Sequence, residues 1–232
     1  MAIGQLRALG CPFTSLLMPA FRSFLFDLDG TLIDHFKAIH RCYAYTLPKM
    51  GYPEPTPQQV RDAVGGGLEH ALLKFVPPDK VGEALKVFRE YWGRTMLDDV
   101  EAMPGALDLL KGLCSQGAVL GVLTNKHGPS SRLICDKLGF SPNLRATVGA
   151  GDTPWLKPQR ELTEHALNLL GGDRGSALLV GDSPFDVDAA HNGLIPCWVV
   201  TTGTHSREEL TLAGADAVFP DLHSLGQQLG LA

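Results

Sequence analysis

Four short polar segments of this 232-residue chain carry groups able to act on one another if the fold brings them together. Asp27 and Asp29 stand one residue apart. Gly181-Asp182-Ser183 is followed by Asp186, Thr124-Asn125 supplies a hydroxyl and an amide, and Lys157-Pro158 supplies an ammonium. In extended chain, residues i and i+2 point to the same side, so Asp27 and Asp29 can share one small site. A few carboxylates, completed by water and a substrate phosphate, are the oxygen donors that magnesium prefers. The hydroxyl, amide and ammonium could hold phosphoryl oxygens and offset their charge. Such a set suits attack on a phosphate ester, where neutralisation and in-line positioning are both required. Catalysed monoester hydrolysis can be accelerated by up to roughly 10²¹.

Each segment also has an ordinary reading. Asp29-Gly30 is a common turn pair, and Asp182 or Ser183 could simply cap a helix starting near Pro184. Thr124-Asn125 could be a plain turn, and a lone lysine is usually a surface group. What joins the segments is the elements that precede them. Residues 23–26, 119–123 and 177–180 are short apolar runs that read as buried strands, and the polar groups follow directly. Further strands are expected at 145–149, 197–200 and 217–219. Helices are expected at 106–115, 130–138, 158–170 and 186–192, the last closed by Gly193. Apolar strands alternating with helices imply an α/β fold, a doubly wound parallel sheet with a Rossmann-like core. Ligands bind such sheets beyond the carboxyl ends of the strands, where these residues lie.

Residues 34–103 break the alternation. Helical spacing recurs at 38–50, 57–64, 68–75 and 79–97, separated by proline and glycine clusters, with no good strand. The expected organisation is an N-terminal extension over 1–22, an α/β catalytic core from 23–33 and 104–232, and an inserted α-helical cap domain over 34–103. Hydrophobic residues make up 44% and charged residues 19%, enough for a packed core. The net charge of -5 argues against a nucleic-acid footprint, and an anionic substrate must be attracted locally. Five widely spaced cysteines, with no CxxC pair, read as reduced thiols in the cytoplasm. Pro12 and Pro19 interrupt the apolar start of the chain, which reads as an extension and not a signal peptide. No run approaches the length of a membrane span.

Taken in order, Asp27-Leu28-Asp29-Gly30-Thr31-Leu32, Leu123-Thr124-Asn125, Lys157-Pro158 and Gly181-Asp182-Ser183-Pro184-Phe185-Asp186 resemble the four motifs of the haloacid dehalogenase-like hydrolase superfamily. The likeness runs from about Phe24 to the C-terminus and is greatest to the phosphoglycolate phosphatase branch. It implies that Asp27 attacks phosphorus and that Asp29 serves as acid and base. It implies magnesium held by Asp27, the Asp29 carbonyl and Asp182, with Asp186 behind them. Thr124, Asn125 and Lys157 would hold the phosphoryl group. An aspartate at 29 favours phosphate esters over carbon–halogen bonds. The implied substrate is a small phosphorylated metabolite, phosphoglycolate first, with no nucleic-acid or membrane partner and a monomeric or homodimeric state.

Gly65, Gly66 and Gly67 resemble that branch's substrate loop, though a flexible interhelix turn fits equally. Among the histidines, His127 is the preferred pocket residue, with Lys126 a phosphate neighbour; His35, His40 and His70 read as surface or core. Tyr91, Trp92 and Trp155 read as packing. A sugar phosphomutase would be expected to carry a histidine ten residues beyond Asp29, where Ile39 stands. A pyrophosphatase, a non-catalytic family member and a signalling receiver are the remaining alternatives. Receivers are about half this length and lack the helical insertion.

Overall fold

Strand β1 (Ser23–Phe26) is buried along its whole length, as its uninterrupted apolar sequence requires at the centre of a parallel sheet. In the computed structural model of the chain, residues 21–231 are described. β1 lies between β4 (Val119–His127) and β6 (Ala177–Gly181). With β5 (Ala146–Ala150), β7 (Cys197–Val200) and β8 (Ala217–Phe219) they form a six-stranded sheet of order β5-β4-β1-β6-β7-β8, all parallel. The chain winds outward from β1 to β5 and then returns to β6 on the opposite side of β1. The winding therefore reverses at β1, which is where a crevice opens in such sheets.

Register fixes what meets in that crevice. Phe26 pairs with Val122 on one side and Val180 on the other. Asp27, Thr124 and Asp182 consequently leave their strands at nearly one height. The helices α5 (Ala106–Ser115), α6 (Gly128–Lys137), α7 (Arg160–Leu170), α8 (Pro184–Asn192), α9 (Arg207–Leu212) and α10 (Leu222–Gln228) cover the sheet. Alternate strand residues feed two cores. Phe24, Phe26, Leu178 and Val180 pack with α5 residues Leu109, Leu110 and Leu113, whereas Leu25, Leu123 and Leu179 pack with α7 residues Leu162, Leu167 and Leu170.

Between β1 and β4 the chain forms α1 (Phe36–Lys49), α2 (Pro57–Arg61), α3 (Leu68–Leu72) and α4 (Val81–Thr95). Thr56 and Gln59 exchange side-chain and backbone hydrogen bonds at the start of α2, which explains the sharp entry after Pro55. Tyr43 of α1 packs edge-on against Phe88 of α4 at 5.1 Å, and Phe88 stacks on Trp92. The expectation of no strand in this block needs correction. Ile33–Asp34 (β2) pairs antiparallel with Glu101–Ala102 (β3), so a two-stranded ribbon joins the helical insertion to the core. Two residues are too few for a periodic pattern to register. Lys37 and Arg41 both pair with Asp99 beside this ribbon.

Two smaller expectations also change. Gly193 ends α8 with ordinary helical φ, and the positive φ falls on Leu194. Glycine is nonetheless required at 193, because a Cβ there would overlap Thr163. Residues 1–20 of the expected extension lie outside the described residues. Phe21 packs edge-on against Trp198 at 5.5 Å, and Arg22 bonds to Ser176 and Val119 through its backbone, so these two residues belong to the core. Among the described residues no helix is long and apolar enough to cross a membrane.

Candidate active site

Asp27, Lys157, Asp182 and Asp186 are all buried at the carboxyl end of the sheet. The Lys157 ammonium lies 2.9 Å from Asp27 Oδ1 and donates to Asp186 Oδ1 at 2.6 Å. The other Asp186 oxygen accepts from Ser183 Oγ at 2.6 Å, from Ser183 N at 3.1 Å and from Asp182 N at 3.2 Å. Asp186 is therefore spent on the first turn of α8, with Ser183 as the N-cap, and on holding Lys157. Asp182 accepts from Thr31 Oγ1 at 3.2 Å. A Cβ at Gly203 would overlap the Asp182 carboxylate, so glycine is required where the loop after β7 crosses it.

Burial pushes the Asp27 carboxyl up to about 6; Lys157 opposes this and Asp186 reinforces it. Asp182 is raised well above the usual carboxylate range, by burial first and then by its aspartate neighbours. Burial alone would lower the Lys157 ammonium, yet Asp186 and Asp27 hold it above its ordinary value. Carboxylate oxygens of Asp27, Asp182 and Asp186 lie within 4.8 Å of one another. Asp27 Oδ1 has no well-directed hydrogen bond despite its ion pair. Three buried carboxylates against one ammonium leave an excess of negative charge, and an all-oxygen donor set of this kind fits a hard divalent cation. The Asp29 side chain stands outside the cluster, so only its backbone is available to the metal set predicted from the sequence.

Asp29 faces different partners. Lys126 Nζ donates to both of its oxygens, at 2.9 and 2.8 Å. Trp92, from α4 of the insertion, presents its ring to the same ammonium at 4.7 Å. The Trp92 indole N–H donates to Ser130 Oγ at 3.2 Å. His35 is fully buried behind Asp29, with Nδ1 3.8 Å from Asp29 Oδ1. Its Nε2 donates to the Met96 carbonyl at 2.6 Å. Burial and Lys126 depress its pKa to about 4, so the ring is neutral near pH 7. Two expectations are extended here: Lys126 pairs with Asp29 while lining the cavity, and Trp92 is more than packing. Neither was legible beforehand, because the pairing depends on how far two long side chains reach.

Thr124 is buried, and its hydroxyl oxygen accepts from Lys126 N at 3.2 Å, leaving the O–H to donate towards Asp27 or a ligand. Asn125 does not fit the expected phosphate-holding role through its side chain. Its Nδ2 donates to the Gly65 carbonyl at 2.9 Å and the Lys157 carbonyl at 3.1 Å, and its Oδ1 accepts from Lys157 N at 2.8 Å. Every amide group is used.

Sheet ends and insertion enclose a cavity of about 800 Å³. Asp27, Asp29, Thr124, Lys126 and Asp182 form its polar wall, while Ile39, Tyr43, Phe88 and Trp92 form its apolar wall. Gly65, Gly66 and Gly67 line it too. His70 and His127 face the cavity; His127 Nδ1 lies 3.0 Å from Ser130 Oγ. His40 is engaged with the Pro55 carbonyl at 2.9 Å. Arg160 opens α7 and pairs with Glu164 at 2.6 Å, away from the chemistry.

A parallel sheet with carboxylates, a lysine and a hydroxyl gathered at its carboxyl edge, beneath a helical insertion, defines a Rossmann-like α/β protein with an aspartate-centred site. Residues 24–200 match the family described as haloacid dehalogenase-like hydrolase. The chain belongs to that family. It is similar to a phosphoglycolate phosphatase of Rhodospirillum rubrum, 31% identical, with 90% of this chain and 91% of that protein covered. It is also similar to a 5'-nucleotidase of Pseudomonas aeruginosa, 28% identical over 90% of this chain and 96% of the relative. A crystal structure of a predicted phosphoglycolate phosphatase from Haemophilus somnus shares the fold, with a TM-score of 0.84 at 22% identity, covering 91% of this chain and 99% of that one. As an enzyme it is a phosphoric monoester hydrolase.

Proposed function

We propose that the protein hydrolyses a small phosphate monoester through an aspartyl-phosphate, with magnesium as cofactor and phosphoglycolate as the leading substrate. The observation that carries this reading is the convergence of Asp27, Thr124 and Asp182 on one cavity wall that Asp29 shares, with Lys157, from a fourth segment, buried against Asp27. Lys157 holds Asp27 Oδ1, which leaves the other oxygen to attack phosphorus. As the Asp27–phosphorus bond forms, the bond to the leaving oxygen breaks and Asp29 delivers a proton to that oxygen. Water then attacks the phosphoryl group, Asp29 takes its proton, and Asp27 is released with inorganic phosphate. Magnesium, held by Asp27, Asp182 and the Asp29 carbonyl, would neutralise phosphoryl charge.

The cavity supports a small anionic alcohol as leaving group. Arg89 lines it and has no ion-pair partner among the described residues, so it can meet a second anionic group such as a carboxylate. Four described cysteines are free thiols, which fits a reducing compartment such as the cytoplasm. A mutase reading lacks support, because Ile39 stands in the cavity wall and His40 is bonded to Pro55.

The test is phosphate release from a panel of phosphoglycolate, sugar phosphates, nucleotides and pyrophosphate, with magnesium or a chelator. Asp27→Asn should lower release by at least about 10³-fold and chelation should abolish it. Undiminished turnover in Asp27→Asn would sink the nucleophile assignment.

A further inference from the structure

The glycine loop of the insertion does more than border the cavity: it is bonded to the segment that carries the catalytic lysine. Asn125 Nδ2 donates to the Gly65 carbonyl at 2.9 Å and to the Lys157 carbonyl at 3.1 Å, while Asn125 Oδ1 receives the Lys157 N–H at 2.8 Å. The same lysine grips Asp27 and Asp186. Three links therefore run without a break from the loop to the nucleophile, through Gly65, Asn125, Lys157 and Asp27. The loop is also seated tightly. A Cβ at Gly65 would stand 3.2 Å from the Phe185 ring, and one at Gly66 would stand 2.7 Å from the His70 ring. Gly65 has φ +122°, a conformation that only glycine adopts without strain. Phe185 belongs to the first turn of α8, so the loop touches the second and fourth polar segments together.

We infer that Asn125 is a positioning residue that couples docking of the 65–67 loop to the orientation of Lys157, and through Lys157 to Asp27. With the loop docked, the amide is held by two carbonyls and the Lys157 backbone is clamped on both its N–H and its C=O. With the loop lifted, the amide loses one anchor and the clamp on Lys157 loosens. The nucleophile is then best aligned only when the insertion covers the cavity. Coupling of this kind between two sites is typically worth about 5- to 150-fold.

The test uses hydrogen exchange and steady-state kinetics on the full chain with saturating magnesium. Asn125→Asp keeps the shape and the Oδ1 acceptor but turns both donor contacts into oxygen–oxygen repulsions. Amide exchange in residues 64–68 should speed up by about tenfold, and kcat should fall by a similar factor with a smaller change in KM. Gly65→Ala, which strains the loop from the other end, should speed exchange of the Lys157 amide. Lys157 is far from position 65 in sequence, and a purely local loop defect would leave it unmoved. The double variant should lose no more than the worse single variant, since both break one chain of bonds. Unchanged exchange at 64–68 in Asn125→Asp, unchanged Lys157 exchange in Gly65→Ala, or fully multiplicative losses would each overturn the coupling. If Asn125→Asp fails to fold, the Gly65→Ala exchange at Lys157 decides alone. The exchange readouts need no turnover, so they separate failure of this coupling from failure of the phosphatase reading.

Discussion

Asp27 and Asp29 are neighbours in sequence and opposites in setting. Asp27 sits among buried carboxylates with Lys157 against one oxygen, whereas Asp29 is held at the cavity edge by Lys126. Environment of this sort separates the roles of two like groups. Asp29→Asn should therefore lower turnover of alkyl phosphates by about 10²–10⁴-fold. The loss should be clearly smaller for p-nitrophenyl phosphate, whose leaving group departs without a proton; equal losses on both would remove the acid role. A pH effect follows from Asp27. Its folded pKa of about 6 lies above the ordinary 3.8, so the metal-free fold binds that proton more tightly than the unfolded chain does. That contribution falls away as pH rises from about 4 to 6, and the full penalty is present above it. Magnesium requires the ionised carboxylates and removes the penalty. The rise in melting temperature on adding a fixed excess of magnesium should be larger near pH 7 than near pH 5. A larger rise at the lower pH would contradict the metal set.

At the scale of elements, the strands and most helices were legible because their apolar periodicity is long enough to read. The strand ends carried the site with them: register puts Asp27, Thr124 and Asp182 together wherever β1, β4 and β6 are adjacent. What escaped was either too short or too far-reaching. β2 and β3 have two residues each, α9 has six and α10 has seven. Lys126 to Asp29 and Asn125 to Gly65 are contacts across 97 and 60 residues, and no local pattern encodes them. The loop after β7 offers a test at this scale. Gly203→Ala should displace the Asp182 carboxylate while leaving the six strands intact. The magnesium concentration for half-maximal activity should rise by about tenfold or more, with only a small change in melting temperature. An unaltered magnesium response would show that Asp182 has room the packing does not indicate.

The whole molecule carries a net charge of -5 and yet must admit an anion. Attraction therefore comes from Lys126 and Arg89 in the cavity wall, from Lys157 buried beneath it, and from the proposed metal, while the remaining surface repels. Salt screens the long-range repulsion more than the buried attraction. Raising ionic strength from about 0.01 to 0.2 M at saturating magnesium should leave KM unchanged or lower it. A several-fold increase would mean that substrate is steered by a surface field after all. The ribbon of β2 and β3, with Lys37 and Arg41 on Asp99, marks where the chain passes between the core and the helical insertion.

Trp92 has a further use. Its indole lies over the Lys126 ammonium, and the emission of an indole responds to charge held against its face. The other two tryptophans report elsewhere: Trp198 packs beneath Phe21, and Trp155 lies beside His165. The protein thus contains its own optical gauge of the Lys126–Asp29 pair. Any ligand that draws Lys126 away from Asp29 changes the colour and intensity of light from one known side chain, with no label attached.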